Sequence, residues 1–198
     1  MCLLFSYFAS LAQVEKVQHY STGELRARGL TNNDNKEGEW IYFYPSGTKS
    51  AIENFDQGML HGSVVYFYPT GIMQGKETWR QGQLQDSAWY FHSSGALHRK
   101  GVYQNSRYMN GWIYYFENEV VERIVNYQDG QPNGATKVYN DKGILIQEGL
   151  YRNGLEDNAW NFYNAEGVLE YSGQYESGKP VGVWYEFLQG KKKVYKRY

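Results

Sequence analysis

The chain is nearly free of cysteine, carries almost no net charge and has no long hydrophobic run, and each deficit removes a class of protein. A single cysteine, Cys2, leaves no partner for a disulfide, and beyond the first residues there is no thiol nucleophile and no cysteine metal ligand. A formal charge of −1 points to neither nucleic acid nor an anionic membrane. That balance hides an asymmetry, because residues 191–198, Lys-Lys-Lys-Val-Tyr-Lys-Arg-Tyr, hold five basic groups and no acid, leaving −6 on the other 190. The apolar run at residues 1–12 is too short to span a bilayer. No Asn-x-Ser/Thr sequon occurs.

Catalytic motifs are missing too. His19, His61, His92 and His98 are the only histidines, and none belongs to an HExxH or a Cys/His ligand set. His92 and His98 flank one loop and could approach each other, yet two imidazoles make an incomplete metal site. No GxSxG or GKS/T occurs, and nothing selects a catalytic pair of carboxylates from the 21 acids. The expectation is a protein that is not an enzyme and needs neither cofactor nor metal.

What is abundant is glycine and aromatic residues, with 22 Gly, 20 Tyr and 18% aromatics overall. They are placed periodically. Rows of 24 residues starting at 38, 62, 86, 110, 134, 158 and 182 align without insertion until the last, shortened row. The sixth position of each row is always aromatic: Phe43, Phe67, Phe91, Tyr115, Tyr139, Tyr163 and Phe187. A second aromatic column holds Phe55, Trp79, Tyr103, Tyr127, Tyr151 and Tyr175. A weaker row occupies 14–37, where Tyr20, Gly23 and Gly29 fall in register.

Each row carries two turn signals. Gln57-Gly58, Gln81-Gly82, Asp129-Gly130, Asn153-Gly154 and Ser177-Gly178 fit two-residue hairpin turns with positive φ. Pro45-Ser46-Gly47 and its equivalents fit a longer loop ending at Gly. The runs between them have strand length, so the fold expected is all-β: an elongated meander of antiparallel hairpins, single-layered or solenoid-like. Alternation puts Leu169, Tyr171, Gly173 and Tyr175 on one side of a strand, together with the column Trp40, Trp112, Trp160 and Trp184. Pairing outward from the Ser177-Gly178 turn predicts Gly173 opposite Gly182 and Tyr171 beside Trp184. Glycines such as Gly101, Gly149 and Gly173 leave room for a ring over the backbone.

By the same parity the column from Phe43 to Phe187 lies on the other face. This aromatic ladder is either packing between rows or an exposed strip, and it is the candidate binding surface.

The organisation expected is a signal peptide at 1–12, ending in Ser10-Leu11-Ala12, then a degenerate capping repeat at 13–37, an array at 38–190 and a basic end at 191–198. Export to the periplasm, envelope or exterior follows if the first segment is cleaved, and a cytoplasmic chain with a buried first strand if not. Lysines in the final strand protect an edge from unwanted pairing or, alternatively, meet an anionic lipid.

The pattern GxWxxFYxxxG, followed about 12 residues later by GxYxxGxxxG, as in NAWNFYNAEGVLEYSGQYESGKPVG (158–182), resembles the MORN-repeat variant family. The resemblance covers 38–198 well and 14–37 weakly. It departs from the standard Tyr-x-Gly-x-Trp pattern where Val64, Ala88 and Thr136 replace Trp, which is similar to the bacterial variant. It implies a hairpin array with a binding role: a scaffold for a protein or peptide partner, an antitoxin-like protein, or a module contacting membrane lipid or glycan. Nucleic acid is not an expected partner.

Overall fold

The computed structural model describes residues 13–198, and the segment read as a signal peptide lies outside them. Among the described residues every regular element is a strand. The first eight are β1 (Val14–His19), β2 (Leu25–Asn32), β3 (Asn35–Phe43), β4 (Lys49–Asp56), β5 (Met59–Leu60), β6 (Gly62–Phe67), β7 (Met73–Arg80) and β8 (Gln83–Phe91). The rest are β9 (Leu97–Gln104), β10 (Arg107–Tyr115), β11 (Val121–Gln128), β12 (Gln131–Tyr139), β13 (Leu145–Arg152), β14 (Leu155–Tyr163), β15 (Leu169–Glu176), β16 (Lys179–Leu188) and β17 (Lys191–Arg197). All pairings are antiparallel and join neighbours along the chain, with β5 and β6 sharing β4 as two parts of one interrupted strand. The result is one open sheet bounded by β1 and β17. At a strand spacing of about 4.8 Å, it runs on the order of 70 Å along its course.

The two turn types occur where the sequence places them. Gln57 and Gly58 have φ of 51° and 82°, and the same double-positive pair recurs at each tight turn through Gln189-Gly190. Two positive φ values match the twist of the flanking strands, which explains the polar-Gly preference. In the longer loop, Gly47 N donates to Tyr44 O (2.9 Å) and Tyr44 N donates to Thr48 O (2.8 Å).

One device was not anticipated. The first residue of every row, Gly38, Gly62, Asp86, Asn110, Gly134, Asn158 and Gly182, has φ between 58° and 105°. Between β2 and β3, Leu30 pairs with Glu37 but Gly29 pairs with Trp40, so Gly38 and Glu39 bulge out of register. The same bulge corrects the expected pairing near the end of the chain. Gln174 pairs with Val181 and Ser172 with Tyr185, which puts Gly173, not Tyr171, against the Trp184 ring. Tyr171 instead pairs with Glu186. A second irregularity pairs Tyr163 with Leu169, so Leu169 faces the ladder and leaves the tryptophan side.

The two faces are unequally covered. Trp40 and Trp112 are fully buried, Trp160 nearly so, and the other buried side chains, including Val64, Ala88, Tyr103 and Glu77, lie on the same face. Among the described residues no second layer supplies this cover: rings of the same and adjacent rows do, as Tyr90, Tyr103, Tyr108 and Tyr114 surround Trp112 at 4.3–6.5 Å between centroids.

Candidate binding surfaces

Neighbouring rows are joined by one of two junctions. In the first, a Trp ring lies flat over a Gly and its Nε1 donates to the carbonyl of the residue after that Gly: Trp40 to Leu30 (2.7 Å), Trp112 to Val102 (3.1 Å), Trp160 to Leu150 (3.2 Å), Trp184 to Gln174 (3.2 Å). The bulge disrupts the ladder here, and the indole satisfies the carbonyl it frees. In the second, Val64, Ala88 or Thr136 replaces Trp, and the Gly position of the row before is held by Glu53, Glu77 or Val125. The following residue is then Asn or Thr, which reaches across to a carbonyl: Asn54 to Ser63 (2.7 Å), Thr78 to Ser87 (3.5 Å), Asn126 to Ala135 (2.7 Å). Large ring with glycine, or small residue with a filled partner: the volume is conserved at each junction.

Where Glu77 fills that space, its carboxylate accepts from Trp79 Nε1 (2.9 Å) and from the Tyr90 hydroxyl (2.6 Å). Burial, reinforced by the Glu77 bond, pushes the Tyr90 hydroxyl far above the ordinary tyrosine range. The Arg99 guanidinium lies 4.3 Å over Tyr90, and Arg123 4.1 Å over Tyr114. This face is therefore closed by its own rings and cations over most of its length.

The ladder rings Phe43, Phe67, Phe91, Tyr115, Tyr139, Tyr163 and Phe187 all lie on the opposite face and are all half-buried. Their cover is partial and made of long polar side chains. Arg28 stands 6.0 Å from the Phe43 ring and Lys100 5.8 Å from Tyr115, while the Tyr163 hydroxyl donates to Glu148 (2.6 Å). Burial and that bond push the Tyr163 hydroxyl up to about 12, and the same bond holds Glu148 below its usual range. Shallow cavities open on this face where bulges meet small residues. One of about 320 Å³ is lined by Trp89, Lys100, Gly111 and Ile113, and one of about 420 Å³ by Asn161, Ser172, Tyr185 and Lys192.

Sequence reasoning missed what the next column does. Tyr20, Tyr44 and Tyr68 each donate a hydroxyl to the carbonyl of the ladder residue one row on, Phe43, Phe67 and Phe91, at 2.7–2.9 Å. His92 continues the series onto the Tyr115 carbonyl (3.1 Å). A tyrosine directly after Phe43 and Phe67, and after His19 in the weaker row, was the available signal. In later rows the column becomes Asn140 and Asn164, whose side chains accept from amides of their own loops. His92 and His98 do come together, with ring centroids 4.5 Å apart, and burial followed by His92 lowers the His98 pKa. Among the described residues no three His, Cys, Asp or Glu side chains gather as a metal site.

The tryptophan face changes at its two ends. Near β3, the Lys36 ammonium is enclosed by Trp40, Tyr42 and Phe55, with ring centroids at 4.7–5.0 Å, and it donates to the Tyr42 hydroxyl. Desolvation lowers the Lys36 pKa, opposed by Glu53. At the other end a cavity of about 300 Å³ lies over Trp184, lined by Phe162, Tyr171, Tyr175, Tyr195 and Tyr198 with Pro180. The basic segment forms β17, exposed throughout. Lys192 lies over Tyr185 on the ladder face (3.7 Å), and Lys196 over Tyr198 (4.3 Å).

Fold and surfaces together define a repeat-based β scaffold, a sheet built by near-identical hairpins with side chains arranged in columns. Residues 36–57 and 60–81 match the family described as MORN repeat variant. The two matched segments start 24 residues apart and are MORN-type repeats, and the remaining rows keep the same strands and turns. None of the curated proteins compared with the chain matches it. Among solved structures, it is similar over 90% of its length to chains in "Crystal Structure of TcdB2-TccC3-Cdc42" (11% identity, TM-score 0.21) and "Crystal Structure of TcdB2-TccC3" (12%, TM-score 0.20). It spans only 13% and 14% of those chains, and likenesses this low have no bearing on function.

Proposed function

We propose that this protein is a non-enzymatic scaffold that presents its ladder face to a protein or peptide partner. One observation carries the reading: the fully buried side chains lie on the tryptophan face, while seven aligned rings on the other are only partly buried, three of them beside Arg28, Lys100 and Glu148. An aromatic strip with a polar rim, repeated over seven rows, suits an extended partner better than a compact ligand. Export is part of the proposal, supported by the apolar segment ending at Ala12 and by a remaining chain that needs no thiol chemistry. In the cytoplasm the same surface would serve the antitoxin-like role implied by the family resemblance.

The test is affinity capture from the native envelope and cytoplasmic fractions with residues 13–198 as bait, alongside a variant carrying Phe67→Ser, Tyr115→Ser and Tyr163→Ser whose folding is verified by its melting curve. A partner retained by the first bait and lost by the folded variant makes the ladder the site. Equal capture by both reduces the ladder to packing between rows.

A further inference from the structure

Four columns of the tryptophan face form the same small chamber in several rows, and its occupant changes from row to row, being Lys36, Tyr108 or, in the row of Trp160, Glu156 by position. In the row starting at 38 the chamber is made by Trp40, Tyr42 and Phe55, and its occupant is a cation, the Lys36 ammonium. In the row starting at 110 the walls are Trp112, Tyr114 and Tyr127, and Tyr108 fills the space, its ring 4.3 Å from Trp112 and perpendicular to it. In the row starting at 182, Trp184 keeps its place, and Tyr198 takes that of Phe55, its amide donating to Gly182 O (2.9 Å) just where Phe55 pairs with Gly38. The Lys36 position is now Pro180 and the Tyr42 position Glu186. Pro180 becomes part of the lining, and a cavity of about 300 Å³ is the space left over Trp184.

Its walls stand at angles to one another. Tyr175 and Tyr198 meet Trp184 at 86° and 69°, and Tyr171 meets Tyr195 at 68°, with centroids 5.2–6.2 Å apart. Trp184 is only 7% exposed, so its indole offers no flat platform to a sugar ring. Rings around a compact volume attract a rounded cation through their π faces, as the chamber around Lys36 already does. A bare cation, however, would meet the Lys196 ammonium, 4.3 Å from the Tyr198 ring, and Lys193 beside Glu186 at 3.7 Å. An ammonium that carries its own anion removes that conflict, because the anion pairs with Lys196 while the cation enters among the rings.

We propose that the cavity over Trp184 binds a phosphocholine group, its trimethylammonium held by Trp184, Tyr171, Tyr195 and Tyr198 and its phosphate by Lys196. The site lies on the face opposite the ladder and does not depend on the ladder's role. The full chain is titrated by calorimetry with soluble phosphocholine, phosphoethanolamine, tetramethylammonium and inorganic phosphate. Saturable phosphocholine binding is expected, about tenfold tighter than phosphoethanolamine. Tyr195→Ser, a change at a 55% exposed residue that leaves the fold intact, weakens it, and Lys196→Gln weakens phosphocholine but not tetramethylammonium. No saturable binding, equal binding of inorganic phosphate, or indifference to Tyr195→Ser overturns the proposal. Vesicles of phosphatidylcholine distinguish the source: retention competed by soluble phosphocholine identifies a lipid headgroup, and soluble binding without retention identifies phosphocholine on another carrier, either result upholding the site.

Discussion

At the residue scale, Gly149 and Trp160 behave as one unit, since a Cβ on Gly149 would overlap the indole ring lying on it. Gly149→Ala must displace that ring or bend β13, and overpacking of this kind costs about 1–3 kcal/mol, read as a shifted denaturation midpoint. In a Trp160→Ala background the added methyl enters vacant space, so the second change should cost far less than the first does alone. Equal costs in both backgrounds would mean that the ring does not rest on the glycine. The pairing was half legible in the sequence: the room above Gly101, Gly149 and Gly173 was, the identity of the ring was not. Counting outward from Ser177-Gly178 in steps of two assumes an unbroken ladder, and the bulge at Gly182 breaks it. His98 supplies a pH dependence. Burial lowers its folded pKa below the usual histidine value, so as pH falls through about 6.5 the unfolded chain binds the proton first. Stability should therefore fall from pH 7.5 toward pH 5.5, and denaturation midpoints of His98→Gln should show a shallower decline than the parent chain.

At the scale of elements, hairpins and turns were readable because their chemistry is local. Two positive φ values at Gln57-Gly58 demand a glycine-tolerant pair, and alternation marks the strands on either side. The exceptions sharpen the rule. Glu119 holds φ of 64° in the loop where other rows have Gly, so Glu119→Gly should raise stability by about 1 kcal/mol in equilibrium denaturation. An unchanged midpoint would mean that the loop relaxes at no cost. Contacts between elements 23 residues apart were not readable, because no local pattern says that the Tyr44 hydroxyl ends on the Phe67 carbonyl. Tyr44→Phe removes that hydroxyl alone and should cost about 0.5–1.5 kcal/mol, with amide exchange speeding up in the loop after β6. Loss of the bond also frees the backbone beneath the ladder. The ladder at Phe43, Phe67 and Phe91 therefore depends on the neighbouring tyrosine hydroxyls as well as on its own rings.

At the scale of the molecule, each strand pairs with its neighbours in sequence, and stability is then a sum of row and junction terms, with no strand pairing closing the ends on each other among the described residues. Such an array responds to damage locally. Trp160→Ala deletes the ring over Gly149 and the bond to Leu150 O, and large-to-small changes of this kind typically cost about 3–5 kcal/mol. In a compact domain that loss would lower protection against hydrogen exchange everywhere the global unfolding route dominates. Here it should fall on β13 to β16 and leave β2 to β7, which are stabilised by Trp40, Glu77 and the Tyr20, Tyr44 and Tyr68 clamps, close to their original rates. A uniform drop across all strands would show that the rows unfold as one cooperative body. The distinction bears on binding, because a surface spread over independently stable rows tolerates loss at one end, whereas the cavity over Trp184 is lined by its own row and the one before it. Damage at Trp160, one row before Trp184, should therefore weaken that cavity before it affects the ladder at Phe43 and Phe67.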